Sequence, residues 1–154
     1  MAECVMHELA HRAGRPDVVV DSAGTSTEEL GNGMHPGTRA CLEKAHIPCG
    51  HHRARQLGPA DYRRFDYLVA MDHENLPGIY RLLLGERGAG FWWDPVSPED
   101  AHRADPAGKV SLLLDWTAAP RDIADPWYTG DFDATFSDVM RGCTALLAHL
   151  QERN

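Results

Sequence analysis

Two stretches of this sequence carry residue types at spacings that could do chemistry. In His7-Glu8-Leu9-Ala10-His11 two imidazoles stand one helical turn apart with a carboxylate between them, and Gly14 and Asp17 extend the pattern to H-E-x-x-H-x-x-G-x-x-D. Two such His and a third ligand can hold Zn²⁺ while the Glu activates its water. Asp125-Pro126-Trp127-Tyr128-Thr129-Gly130-Asp131-Phe132 sets a carboxylate, stiffened by the proline after it, beside two aromatic rings. That arrangement suits a general acid next to an aromatic substrate slot, and equally a capped turn whose aromatics pack.

The zinc pattern has to be positioned by a helix, and the helix argues against it. Ala2, Val5, Met6, Leu9, Ala10 and Ala13 form one apolar stripe at helical spacing, ended by Gly14,. At about 100° per residue His7 and His11 fall opposite that stripe, on the solvent side. Arg12 puts a positive charge beside the second His, and no strands precede residue 7 in this sequence to wall a cleft,. A solvated helix face is expected, a zinc metallopeptidase built on His7, Glu8 and His11 stands as the third reading of function, no metal ligand is assigned and no cofactor is called for.

Composition bounds the rest. The 154 residues are 43% apolar and 25% charged, an ordinary globular balance for a single domain over 1–154 that needs neither disulfide nor metal to hold a core. Cys4, Cys41, Cys49 and Cys143 show no paired spacing, which reads as reduced thiols and a cytoplasmic setting,. The first twenty residues include Glu3, Glu8 and Asp17 and no apolar signal-peptide core, and the apolar runs are too short for a membrane span,. A net charge of −8 argues against nucleic acid as a partner,.

Val18-Val19-Val20, residues 68–71 and residues 110–114 read as buried strands,. Helices are expected over 36–45, over 72–84 with Asp72 as N-cap, and over 132–150. The last is marked by Phe132, Phe136, Val139, Met140, Cys143, Leu146, Leu147 and Leu150 at helical steps,. The Gly/Pro-rich stretch 85–108 reads as loop. Strands alternating with helices predict an α/β fold with a parallel sheet between helical layers, and ligands at the C-terminal ends of its strands.

The ordered set Met1-Ala2-Glu3, Asp21-Ser22-Ala23-Gly24-Thr25, His52-Arg53-Ala54-Arg55-Gln56-Leu57, Phe65-Asp66-Tyr67, Met71-Asp72-His73-Glu74-Asn75 and Asp125-Pro126-Trp127-Tyr128 resembles the low molecular weight protein tyrosine phosphatases from end to end. The resemblance implies a three-layer α/β/α fold and metal-free hydrolysis of a phosphotyrosine protein or small aryl phosphate. In that chemistry a Cys thiolate attacks phosphorus within an anion cradle at a helix N-terminus. It implies that Asp125 is the general acid and base, that Trp127 and Tyr128 line the phenyl slot, and that Ser22 and His52 support the phosphate loop. Read without the resemblance, those last two are a satisfied turn serine and a surface histidine.

Three departures qualify that expectation. The family's N-terminal strand and C-x-x-x-x-x-R-[ST]-P loop would lie ahead of Met1, so the domain is expected to lack its first strand, its nucleophile and its phosphate-binding Arg. As it stands the chain is expected to be inactive, and a non-catalytic binding or regulatory module on the same scaffold is the alternative. Cys49 to Arg55 does spell C-x-x-x-x-x-R, but Gln56 follows, and the segment matches a different family loop. Glu28 stands where many members place an aromatic wall of the slot.

Overall fold

The computed structural model describes residues 1–85 and 95–152. In chain order its elements are α1 (Ala2–Arg12), α2 (Pro36–Lys44), α3 (Pro59–Arg64), β1 (Leu68–Ala70), α4 (Asn75–Leu83), α5 (Pro98–Ala104), β2 (Val110–Leu112), a 3-10 turn (Leu113–Trp116), α6 (Pro126–Thr129) and α7 (Phe132–Glu152). β1 and β2 run parallel, with Leu68 opposite Val110, Val69 opposite Ser111 and Ala70 opposite Leu112.

Helix starts follow from local chemistry. Pro36, Pro59, Pro98 and Pro126 each open a helix, where the missing N–H and fixed φ do no harm,. Side chains accept the free N–H groups: His35 Nδ1 from Gly37 at 3.0 Å, Ser97 Oγ from Asp100 at 3.1 Å, and Asp131 Oδ1 from Ala134 at 2.9 Å,.

Alternation along β1 makes the layers. Leu68 and Ala70 join Ile79, Leu83, Ala104 and Leu112 on one side of the sheet. Val69 and Met71 pack on the opposite side, against a larger cluster centred on Val5, Leu42, Leu113, Leu114, Val139 and Cys143,. Burying each of those Val and Leu side chains stabilises the fold by about 1.5–3 kcal/mol. Gly142 lets α7 meet the 3-10 turn, because a Cβ there would lie 2.5 Å from Leu113 Cγ. These layers match the expected α/β/α arrangement with a small parallel sheet.

Several boundaries differ from the sequence reading. Residues 18–20 are not a strand, and Val19 is 67% exposed. A β-branched run becomes a strand only where a neighbour takes its N–H and C=O groups, and among the described residues β1 pairs with β2 alone,. The run 110–114 is strand only to Leu112, because Asp115 Oδ2 accepts the Leu112 N–H at 2.9 Å and turns the chain into the 3-10 helix. Helix α4 begins at Asn75 rather than at 72. Asp72 still serves that end, its Oδ1 accepting the Asn75 N–H at 2.8 Å. Within the expected loop 85–108, Pro98–Ala104 is helical, while residues 86–94 lie outside the described residues. No helix among the described residues is long and apolar enough to cross a membrane.

Candidate active site

A groove of about 1490 Å³ runs between residues 18–20 and β1, floored by the N-terminal part of α1 and by Val139, Cys143 and Leu146 of α7. Ser22, Glu3, Asp72 and Asp125 all line it. Its two lips are built differently.

The first lip is a pair of loops cross-braced by polar bonds. Gly24 bridges Gln56 in parallel fashion, its N–H reaching the Arg55 carbonyl at 2.8 Å and its own carbonyl taking the Leu57 N–H at 3.0 Å. Arg55 clamps both Asp21 (2.9 Å) and Asp61 (3.0 Å). Burial alone would raise the Asp61 carboxyl, but the Arg55 guanidinium, the Gly58 N–H and Arg64 outweigh it and hold it below its ordinary value,. Ser22 and His52 converge on one atom of α1's first turn. The Ser22 hydroxyl donates to Glu3 Oε2, and His52 Nδ1 lies 3.2 Å from the same oxygen.

The second lip is the turn before α7. Asp125 caps α6, its Oδ1 accepting the Trp127 N–H at 2.8 Å, and Gly130 closes the helix in a left-handed conformation with φ of 71°,. Trp127 and Tyr128 are 68% and 85% exposed. The Trp127 ring meets His35 edge-on at 5.7 Å, and His35 stacks on Phe132 at 4.9 Å. Below them, burial raises the Asp72 carboxyl despite the Asn75 N–H, and the charges of Asp122, Glu74 and Asp125 push it further the same way,.

Of the residues singled out by sequence, Ser22 and Asp125 therefore face one groove, and His52 is joined to it through Glu3. Trp127 and Tyr128 stand on the outer edge of the second lip. Glu28 is exposed on the loop preceding α2. Glu3 stood in the sequence only as part of the Met1-Ala2-Glu3 stretch, with no role of its own. Asp72 was read only as a cap, and nothing in its local sequence shows that Asp122 and Asp125 return beside it.

The competing motifs are otherwise engaged. His7 and His11 are exposed, Glu8 is bound to Arg12 at 2.6 Å and Asp17 to Arg15 at 2.6 Å. Among the described residues no three His, Cys, Asp or Glu are grouped to hold a metal ion. In the Cys49 to Arg55 segment the guanidinium is committed to two carboxylates and the thiol faces Cys4, so the pair does not converge on an anion site.

Comparison with known proteins gives this arrangement its class. Residues 1–89 match the sequence profile of low molecular weight phosphotyrosine protein phosphatases. The chain is 32% identical over 155 residues to the low molecular weight protein-tyrosine-phosphatase YfkJ of Bacillus subtilis, spanning 99% of this chain and 87% of that protein. It is 30% identical over 160 residues to the phosphatase PtpA of Staphylococcus epidermidis, spanning 99% and 90%. The crystal structure of YfkJ superposes with a TM-score of 0.80 at 28% identity, covering 99% of this chain and 86% of that one. The low molecular weight protein tyrosine phosphatase of Streptococcus pyogenes superposes at 0.71 and 28% identity, covering 97% and 82%. The chain belongs to the low molecular weight protein tyrosine phosphatases, a family of enzymes.

Proposed function

We propose that this chain supplies the acid/base group and the aromatic slot of a protein tyrosine phosphatase. The nucleophile and phosphate cradle come from a C-x-x-x-x-x-R-[ST]-P segment whose strand lies in the groove. The observation that carries this reading is that Ser22, the Glu3 carboxylate it shares with His52, and Asp125 all border one groove between residues 18–20 and β1. No Cys among the 154 residues is followed six positions later by Arg and then Ser or Thr.

In that assembly the segment's Cys thiolate forms the sulfur–phosphorus bond as the bond from phosphorus to the tyrosyl oxygen breaks, and Asp125 gives that oxygen its proton. The Asp125 carboxylate then takes a proton from water, whose oxygen attacks phosphorus and releases phosphate and the thiolate. Trp127 and Tyr128, already solvent-facing, flank the phenyl ring of a phosphotyrosine protein or a small aryl phosphate. Ser22 and His52, anchored together on Glu3, hold the underside of the cradle. Without the thiolate the acid has nothing to assist, since general acid catalysis is worth roughly 10²–10⁴ in rate and phosphomonoester hydrolysis needs far more.

The test is to read the codons upstream of Met1, express the longer chain and assay both forms. The expected result is an in-frame C-x-x-x-x-x-R-[ST]-P, turnover of phosphotyrosine by the longer chain and none by the 154 residues. A stop codon directly upstream overturns the reading. A longer chain that carries the segment, folds and remains inert favours the non-catalytic binding module.

A further inference from the structure

Four cysteines are free thiols in this fold, and two of them meet. Cys4, buried in the first turn of α1, has its Sγ 2.9 Å from Sγ of Cys49, which sits in the stretch leading from α2 to the Arg55 clamp. Met34 Sδ lies 3.5 Å from the Cys49 sulfur on its other side. Bringing the two thiols to a disulfide length of about 2.05 Å takes a shift of about 0.9 Å,. We infer that Cys4 and Cys49 form a reversible oxidation site for hydroperoxides, closing a disulfide that staples α1 to the loop carrying His52. This inference stands apart from the phosphatase reading, for neither thiol takes part in that chemistry.

The two sulfurs differ in access, and that sets the order of events. Cys49 is half-buried and lines a second cavity, of about 450 Å³, together with Arg39, His51, His52 and Arg53. A hydroperoxide enters there, and the guanidinium and imidazole groups offer hydrogen bonds to the departing oxygen. Burial foremost, then its bond to Cys49, pushes the Cys4 thiol up to about 12, so it stays protonated until it reacts,. In the first step the Cys49 sulfur attacks the peroxide, the O–O bond breaks, and an alcohol or water leaves with the thiol proton while sulfur is oxidised to sulfenic acid. In the second, the Cys4 sulfur attacks the sulfenic sulfur, and hydroxide departs with the Cys4 proton as water. Two thiols and one hydroperoxide thus give one disulfide, one alcohol or water, and one water.

Cys41 and Cys143 serve as internal controls. The Cys41 sulfur is 3.7 Å from an Asp133 carboxylate oxygen. Cys143 is 2% exposed within the main core, and burial pushes its thiol up to about 12. Neither meets a second thiol among the described residues.

The test treats the reduced 154-residue chain with equimolar hydrogen peroxide, alkylates the remaining thiols and maps the products by mass spectrometry. The Cys4–Cys49 cross-link is expected to exceed any other pair by about tenfold, to disappear on reduction, and to lose that preference in concentrated guanidinium, where thiolate exposure levels out. Cys41→Ser leaves the cross-link in place. Cys4→Ser removes the resolving thiol, so that under the same treatment Cys49 stops at sulfenic acid, trapped with dimedone, and reaches sulfinic acid only when a second equivalent of peroxide is added. Cross-links in statistical proportion under native conditions overturn the inference. So does Cys49 trapped as sulfenic acid in the unsubstituted chain with Cys4 left alkylated.

Discussion

The two lips of the groove use carboxylates in opposite ways. On the first, Asp21 and Asp61 share Arg55, and Glu3 gathers Ser22 and His52, so each carboxylate is spent on holding loops together. On the second, Asp72 and Asp125 take backbone N–H groups, and burial first, then the charges of Asp122, Glu74 and Asp125, raises the Asp72 carboxyl. Asp61, clamped to a guanidinium, is a structural strut whose proton is hard to put on,. A carboxyl that is buried beside like charges, as Asp72 is, keeps its proton more readily,. The difference sets Asp61 against Asp72, and four expected outcomes bear on it and on the acid/base role proposed for Asp125.

The largest effect belongs to Asp125. In the longer chain carrying the C-x-x-x-x-x-R-[ST]-P segment, Asp125→Asn lowers kcat on phosphotyrosine by about 10²-fold, and by less on an aryl phosphate with a good leaving group. Asn caps a helix about as well as Asp, so the unfolding free energy changes by about a few tenths of a kcal/mol at most. Equal losses on both substrates, or a large loss of stability, would place Asp125 among the struts and break the comparison.

Asp61→Ala tests the first lip. It leaves the Gly58 N–H without an acceptor and Arg55 with Asp21 alone, which costs about 1–2 kcal/mol in urea unfolding,. Arg55 is half-exposed, so solvent screening keeps the Coulomb share of that figure small,. A midpoint equal to that of the unsubstituted chain would show that the Gly24–Gln56 bridge holds the loops unaided.

The pH dependence has opposite signs on the two lips. The Asp61 carboxyl titrates below its ordinary 3.8 in the folded chain, so its contribution is present above 3.8 and is lost as pH falls through the lower folded value,. Asp72 titrates above 3.8, so the folded chain binds that proton more tightly, and its contribution falls as pH rises through the window just above 3.8,. Urea unfolding at a series of acidic pH values is expected to show a shallower acid limb in Asp61→Ala. In Asp72→Asn the decline just above 3.8 is expected to flatten. The same change of slope in both variants would erase the distinction between the lips.

What the sequence reveals divides along similar lines. Helix α7 is legible because burial of one face imprints its period on Phe132 through Leu150, and Asp125 is legible because a cap, a proline and two aromatics are adjacent in the chain. Residues 18–20 are misread as a strand because strand formation depends on a neighbour, which no local pattern reports. Glu3 escapes notice for a related reason. Its meeting with Ser22 and His52 joins positions far apart in sequence, as does the 45-residue separation of Cys4 and Cys49. Local chemistry is written locally, whereas convergence is decided by packing.

The smallest effect is the most direct probe of the second lip. Burial is the main reason that the Asp72 carboxyl is raised, and among the charges beside it Asp122 acts more strongly than Glu74, and Glu74 more strongly than Asp125. Replacing Asp122 by Asn should therefore lower the Asp72 titration midpoint more than Asp125→Asn does, when the side-chain carboxyl carbon is followed by NMR. Asp122 is also bound to the His73 ring at 2.7 Å and to its backbone N–H at 3.1 Å. Any loosening of that turn would expose Asp72 and lower its midpoint further in the same direction, so the order of the two variants is robust. The reverse order would mean that Asp125 sits closer to Asp72 than its exposed capping position allows. The acid would then belong to a buried carboxyl pair whose two protons titrate jointly, and the proton given to the leaving tyrosyl oxygen could not be credited to Asp125 alone.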